Sequence, residues 1–147
     1  ADIFNAFLSQ TQLPQTLAAT IGGSGLSPMT ILIMILVLYL VLGCVIDALS
    51  MILLTIPIFF PIISALDFGM SPEHTAIWFG IIVLIVVEVG LITPPVGMNV
   101  FVINKLAGDV PLADSFKGVV PFLISDFLRV ALLLAFPAIT LFMLEVF

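Results

Sequence analysis

Apolar residues run along this chain in long blocks separated by short polar punctuation. From Met29 to Ile46 the stretch MTILIMILVLYLVLGCVI carries no charge. As a helix its 18 residues reach about 27 Å, close to the thickness of a hydrocarbon core. Asp47-Ala48-Leu49-Ser50 interrupts it before a second run, Met51 to Leu66. So short a connection folds the two helices back on each other as an antiparallel hairpin. Asp67 to Thr75 (DFGMSPEHT) is a polar loop in which Ser71 is placed to cap a helix starting at Pro72. A third run, Ala76 to Ile92, stops at Thr93-Pro94-Pro95 and resumes from Val96 to Ile103. After the polar residues 104–118, a last run extends from Val119 to Phe147, with Pro137 predicted to kink it. Asp126 and Arg129 are spaced to pair on one face of it.

Residues 1–27 are mixed. Ile3, Phe4, Phe7 and Leu8, then Leu13, Leu17 and Ile21 after Pro14, keep helical spacing and predict short amphipathic helices at a membrane surface. Gly22-Gly23-Ser24-Gly25 ends that segment. The expected organisation is therefore surface helices and linker over 1–27 and a membrane unit over 28–147. Within that unit we expect a hairpin over 28–66, a broken helix over 76–107, a cytoplasmic loop over 108–118 and a final transmembrane helix over 119–147.

Composition strengthens the membrane reading. Of 147 residues, 63% are apolar and only 8% charged, where a soluble surface needs about 25% charged residues. The net charge of −6 leaves no basic patch to neutralise phosphates, which excludes nucleic acid as a partner. Cys44, the single cysteine, sits in an apolar run and reads as a packed thiol. The chain begins at Ala1 without a signal-peptide pattern and reads as the tail of a longer membrane protein. Its three cations, Lys105, Lys117 and Arg129, fall in or beside residues 104–118, which places that loop in the cytoplasm and the C-terminus outside.

The candidate chemistry lies at the interruptions. Pro94 and Pro95 remove two backbone donors and push Thr93 out of helical geometry, which frees the carbonyls of Leu91, Ile92 and Thr93. In lipid, each unpaired backbone group costs several kcal/mol, so such a break survives only inside protein or against a hydrated cavity. Gly90 and Gly97 allow close approach, and Thr93 and Asn99 add side-chain oxygens. A cluster of hard oxygens at membrane depth suits Na⁺. Glu88 precedes the break, with a supporting or a capping role open to it. Asp47 and Ser50 belong either to an ordinary loop or to the tip of a re-entrant hairpin facing the break. His74 reads as solvated. Trp78 and Tyr39 read as interfacial anchors or packing groups, and Phe59, Phe60 and Phe68 as lipid-facing or core.

Two stretches, LGCVIDALSMILLTIPIFFPII and VEVGLITPPVGMNVFVINKLAG, resemble the C-terminal part of the large permease of tripartite ATP-independent periplasmic (TRAP) transporters. The resemblance implies an all-α polytopic inner-membrane protein of the elevator-type ion transporter superfamily. It implies two inverted repeats, each with a re-entrant hairpin and a discontinuous helix, of which this chain would supply one. Carried over, Asp47 to Ser50 form the hairpin tip and Thr93 to Asn99 the break. Asp47, Ser50, Gly90, Thr93, Pro94, Pro95, Gly97 and Asn99 become ion- or substrate-binding candidates, with Ser50, Thr93, Gly97 and Asn99 the Na⁺ candidates. The implied partners are a small membrane subunit, a periplasmic substrate-binding protein and an organic-acid substrate such as a C4-dicarboxylate or sialic acid. Na⁺ is the coupling ion and no cofactor is expected. Rival readings are a binding-protein-independent Na⁺/dicarboxylate symporter of related fold and a purely structural subunit. An intramembrane aspartyl protease needs two facing acids within its own signature. Asp47 and Glu88 do not supply that signature, so no enzymatic activity is expected.

Overall fold

The computed structural model describes residues 2–146, which form eight helices and no strand among the described residues. The first two, α1 (Asp2–Thr11) and α2 (Leu13–Gly22), meet at Gln12, whose φ of 49° turns the chain sharply. Pro14 starts α2, where its missing N–H costs nothing. α2 runs along α4 and brings Ala18 and Ile21 against the core, while Ile3 and Phe7 of α1 remain exposed. The side chains of Phe4 and Leu8 lie outside the described residues, as does Phe147.

Local chemistry starts each of the next helices. α3 (Pro28–Gly43) is capped by Ser27, whose Oγ accepts the Thr30 amide at 3.2 Å. α4 (Ala48–Ser64) is capped by Asp47, whose Oδ1 accepts the Ser50 amide at 2.9 Å. α5 (Pro72–Ile92) is capped by Ser71, which accepts the His74 amide at 3.2 Å as the sequence predicts. α3 and α4 run antiparallel about the Cys44–Asp47 turn. Tyr39 shares a 2.8 Å hydrogen bond with Thr55 and meets Phe59 edge-on at 5.4 Å between ring centres. Both are packing contacts, so Tyr39 is buried rather than interfacial.

α5 is the centre of the bundle. It contacts α3, α4 and every helix that follows it, α6 (Met98–Ala107), α7 (Leu112–Ala135) and α8 (Pro137–Val146). Trp78, Phe79, Ile82, Val83, Val86 and Val87 form its buried side. α5 and α7 are long and apolar enough to cross a membrane, whereas α3, α4 and α6 are apolar but shorter.

Two boundaries differ from those the hydropathy pattern draws. The last long helix starts at Leu112 rather than near Val119, because its polar first turns are still helical. Pro111 stands before them, and Asp114 and Lys117 pair across one turn at 3.0 Å. Asp126 and Arg129 pair in the same manner at 2.8 Å. Pro137 does not merely kink this helix but ends it. α7 stops at Ala135, and Phe136 adopts φ −129°, ψ 77° before α8 begins. Pro137 has no N–H to give the Leu133 carbonyl four residues earlier. The indole Nε1 of fully buried Trp78 donates to that carbonyl at 2.9 Å instead. Trp78 is thus a core group with a specific partner, and not an interfacial anchor. Phe68 packs edge-on against it at 5.4 Å. Phe59 and Phe68 belong to the core, and Phe60 is exposed.

Candidate functional site

The break between α5 and α6 follows from its two prolines. With no amide at 94 or 95, α5 ends at Ile92, and Thr93 turns to an extended φ −87°, ψ 135°. The Thr93 amide tightens onto the Gly90 carbonyl at 3.0 Å, and its hydroxyl donates to the Val89 carbonyl at 2.6 Å. The Pro94-Pro95 peptide is cis. Beyond it Gly97 takes φ 53°, the left-handed region that suits glycine, and α6 begins at Met98.

Two sets of backbone groups are left over. Among the described residues, the carbonyls of Leu91, Ile92 and Thr93 accept no hydrogen bond. Among the described residues no side chain caps α6, and the amides of Met98, Asn99 and Val100 find no partner there. Partial negative charge at the end of α5 therefore lies across a five-residue gap from partial positive charge at the start of α6. That arrangement can hold a cation on one side and an anion on the other. No group of three or more His, Cys, Asp or Glu side chains gathers among the described residues, so backbone carbonyls are the donors on offer here.

The hairpin tip comes to the same place. A Cβ built on Gly90 would lie 2.8 Å from Gly43 Cα and 3.0 Å from the Leu40 carbonyl oxygen. A Cβ on Gly43 would lie 3.1 Å from Gly90 Cα. The ends of α3 and α5 thus touch backbone to backbone, which leaves no room for a side chain at Gly90 and little at Gly43. Next to this crossing the Cys44 thiol, buried, donates to the Leu40 carbonyl at 3.3 Å and lies 3.9 Å from the Pro94 carbonyl oxygen. Cys44 is a packed thiol, as expected, and it packs at the junction of tip and break.

The structure therefore brings Gly90 and the Pro94 carbonyl to the turn at Gly43 and Cys44, with Thr93, Pro95 and Gly97 in the same five-residue break. It treats the remaining candidates differently. Asp47 is exposed, and its carboxylate is occupied in capping α4 rather than pointing a bond at the break. Ser50 is exposed beside it. Asn99 lies exposed in the first turn of α6 with no side-chain hydrogen bond among the described residues. Glu88 is on the exposed side of α5, between buried Val87 and Val89, with no ion pair or capped amide among the described residues. Gly97 does not leave an open approach: the Phe116 ring fills the space where its side chain would be, at 2.9 Å from a built Cβ. Sequence reasoning overlooked Gly43 and Phe116. A glycine inside an otherwise large-residue helix, VLGCVI, was the available signal for the first. Phe116, in a polar segment, offered none.

The chain matches, over residues 1–139, the family described as the tripartite ATP-independent periplasmic transporter, DctM component. It is 34% identical over 145 residues to the sialic acid TRAP transporter large permease protein SiaM of Vibrio cholerae, covering 99% of this chain and 32% of that protein. It is 35% identical over 141 residues to the C4-dicarboxylate TRAP transporter large permease protein DctM of Pseudomonas aeruginosa, covering 96% and 31%. To the isethionate TRAP transporter permease protein DctMQ of Oleidesulfovibrio alaskensis it is 36% identical over 143 residues, covering 97% and 21%. The chain thus spans about a third, or less, of the length of these curated relatives.

Proposed function

Because the chain belongs to the DctM family of TRAP transporters, we propose that it forms part of the inner-membrane permease of a Na⁺-coupled importer of organic-acid anions. The observation that carries this reading is the break itself. Three carbonyls without partners lie beside the hairpin turn, and the uncapped start of α6 follows within a few residues. A bare ion needs free carbonyls, and a continuous helix keeps all of its own occupied. The Leu91, Ile92 and Thr93 oxygens are the Na⁺ ligands on offer. The free amides of α6 favour a carboxylate or sulfonate through the helix dipole. The substrates named for the relatives above, sialic acid, a C4-dicarboxylate and isethionate, all carry such a group.

The hairpin reading rests on length. α3 and α4 have 16 and 17 residues, about 24 and 26 Å of helix, at or below the short end of what spans a hydrocarbon core of about 30 Å. They enter and leave the membrane on one side, with the Cys44–Asp47 turn held against the break. Na⁺ binding fastens tip to break, and the loaded unit then moves across the membrane as an elevator. Lys105 and Lys117 put the α6–α7 connection in the cytoplasm and the C-terminus in the periplasm. A small membrane subunit and a periplasmic substrate-binding protein complete the assembly.

The test is uptake by the full-length permease, reconstituted with its small subunit and binding protein in vesicles. An inward Na⁺ gradient should drive accumulation of a radiolabelled acid anion, and replacing Na⁺ by K⁺ should abolish it. Equal uptake in K⁺ would refute Na⁺ coupling. Full uptake without the binding protein would instead favour a two-component symporter.

A further inference from the structure

The elbow between α6 and α7 reaches back to the break. Asn104, near the end of α6, donates both amide hydrogens across the connection, to the Val110 carbonyl at 2.8 Å and to Ser115 Oγ at 2.9 Å. This fixes the first turn of α7 alongside α6. The next residue, Phe116, is carried by the same turn to the far end of α6. A Cβ built on Gly97 would meet Phe116 Cε1 at 2.9 Å, Cζ at 3.2 Å and the Thr93 carbonyl oxygen at 3.3 Å. The ring edge, the Gly97 Cα and one of the unpartnered carbonyls therefore share one spot. Gly97 is buried and Phe116 half-buried, so the ring forms part of the wall of the break on the α6 side.

We propose that Phe116, held by the Asn104–Ser115 tie, is a positioning residue that keeps Gly97 in its left-handed turn and the Thr93 carbonyl aimed for ion binding. The physical reason is entropic and electrostatic together. A loop of free carbonyls repels itself and swivels unless something packs against it, and the two prolines stiffen only their own φ angles. Gly97 is the most permissive residue of the loop, and where it settles decides what packs beside the Thr93 carbonyl oxygen, 3.3 Å from the position of its built Cβ. A flat ring edge against its Cα restrains it without contributing a ligand. Phe116 touches no ion. It acts through Gly97 and Thr93.

This inference rests on the Na⁺ reading of the break, and the experiment separates the two. In the reconstituted full-length transporter, Phe116→Ala should raise the Na⁺ concentration for half-maximal uptake about fivefold, with the rate at saturating Na⁺ kept within about twofold. Phe116→Leu, which refills the spot, should return close to the parent. Asn104→Ala should shift the Na⁺ dependence in the same direction, because it releases the turn that carries the ring. Gly97→Ala should lower the melting temperature by less in the Phe116→Ala background than in the parent, since the added methyl then meets no ring. If changing Pro94 and Pro95 together to Ala raises the Na⁺ requirement while Phe116→Ala does not, the positioning role is refuted and the ion site stands. If neither moves it, the ion site itself is elsewhere and the positioning role falls with it. A loss of maximal rate without any shift in Na⁺ dependence would mark Phe116 as a packing residue only.

Discussion

Replacing Trp78 by Phe tests how the bundle tolerates its second interruption, between α7 and α8. The Leu133 carbonyl has no helical partner because residue 137 is proline, and its recorded donor is the Trp78 indole at 2.9 Å. Trp78 is 0% exposed, so no water replaces the indole once it is gone. Leaving a buried acceptor unsatisfied costs about 1–3 kcal/mol. The smaller ring adds a packing loss, since volume removed from a closed core is only partly recovered by relaxation. A double-mutant cycle isolates the hydrogen-bond part. Pro137→Ala restores an N–H four residues beyond Leu133, which gives the carbonyl a helical partner and makes the indole less necessary. We expect Trp78→Phe alone to destabilise by about 2–4 kcal/mol, and by about 1 kcal/mol less in the Pro137→Ala background. The assay is denaturant titration of the purified full-length permease in detergent micelles, followed by near-ultraviolet circular dichroism. A single variant within about 0.3 kcal/mol of the parent, or a cycle with no coupling, would refute the reasoning.

Gly90→Ala should be poorly tolerated, at about 1–3 kcal/mol, because its methyl would sit 2.8 Å from Gly43 Cα. Gly80→Ala, with nothing within 4 Å of its built Cβ, should be neutral or stabilise by about 0.5–1 kcal/mol in the same titration. Asp47→Ala should lower stability through loss of the α4 cap, whereas Asp47→Asn, which still caps, should cost far less. A larger effect of Asp47→Asn on Na⁺ dependence than on stability would show that the carboxylate has a ligand role beyond capping. Changing Pro94 and Pro95 together to Ala should let α5 run on over its free carbonyls and raise the Na⁺ concentration for half-maximal uptake; an unchanged dependence would reduce the break to a hinge. Cysteine at Ala48, after Cys44→Ala, should resist a membrane-impermeant thiol reagent added from the cytoplasmic side. Rapid labelling there would mean two full spans instead of a hairpin.

Some of this protein was fully legible in its residues, and the reason is covalent. Pro94 and Pro95 lack amide hydrogens in any fold, so the end of α5 and the freed carbonyls follow from the chain alone. Helix starts at Ser71 and beyond Ser27 and Asp47 follow in the same way, because a cap and the amide it binds lie three residues apart. The long apolar runs and the scarcity of charge likewise announce a membrane protein before any packing is known. What the tertiary structure decided involves partners far apart in the chain. Gly43 meets Gly90, Trp78 meets Leu133, and Phe116 meets Gly97, and no local pattern pairs those positions. It also divided residues of similar appearance: Asp47, a candidate ligand by its place at the tip, is occupied by a local cap, while the Cys44 thiol beside it reaches the break. Local hydrogen-bond chemistry acts over one helical turn and is written in adjacent letters. Which helix ends may touch depends on the shapes of whole surfaces, and that is settled only when α5 has α3, α6 and α7 packed around it.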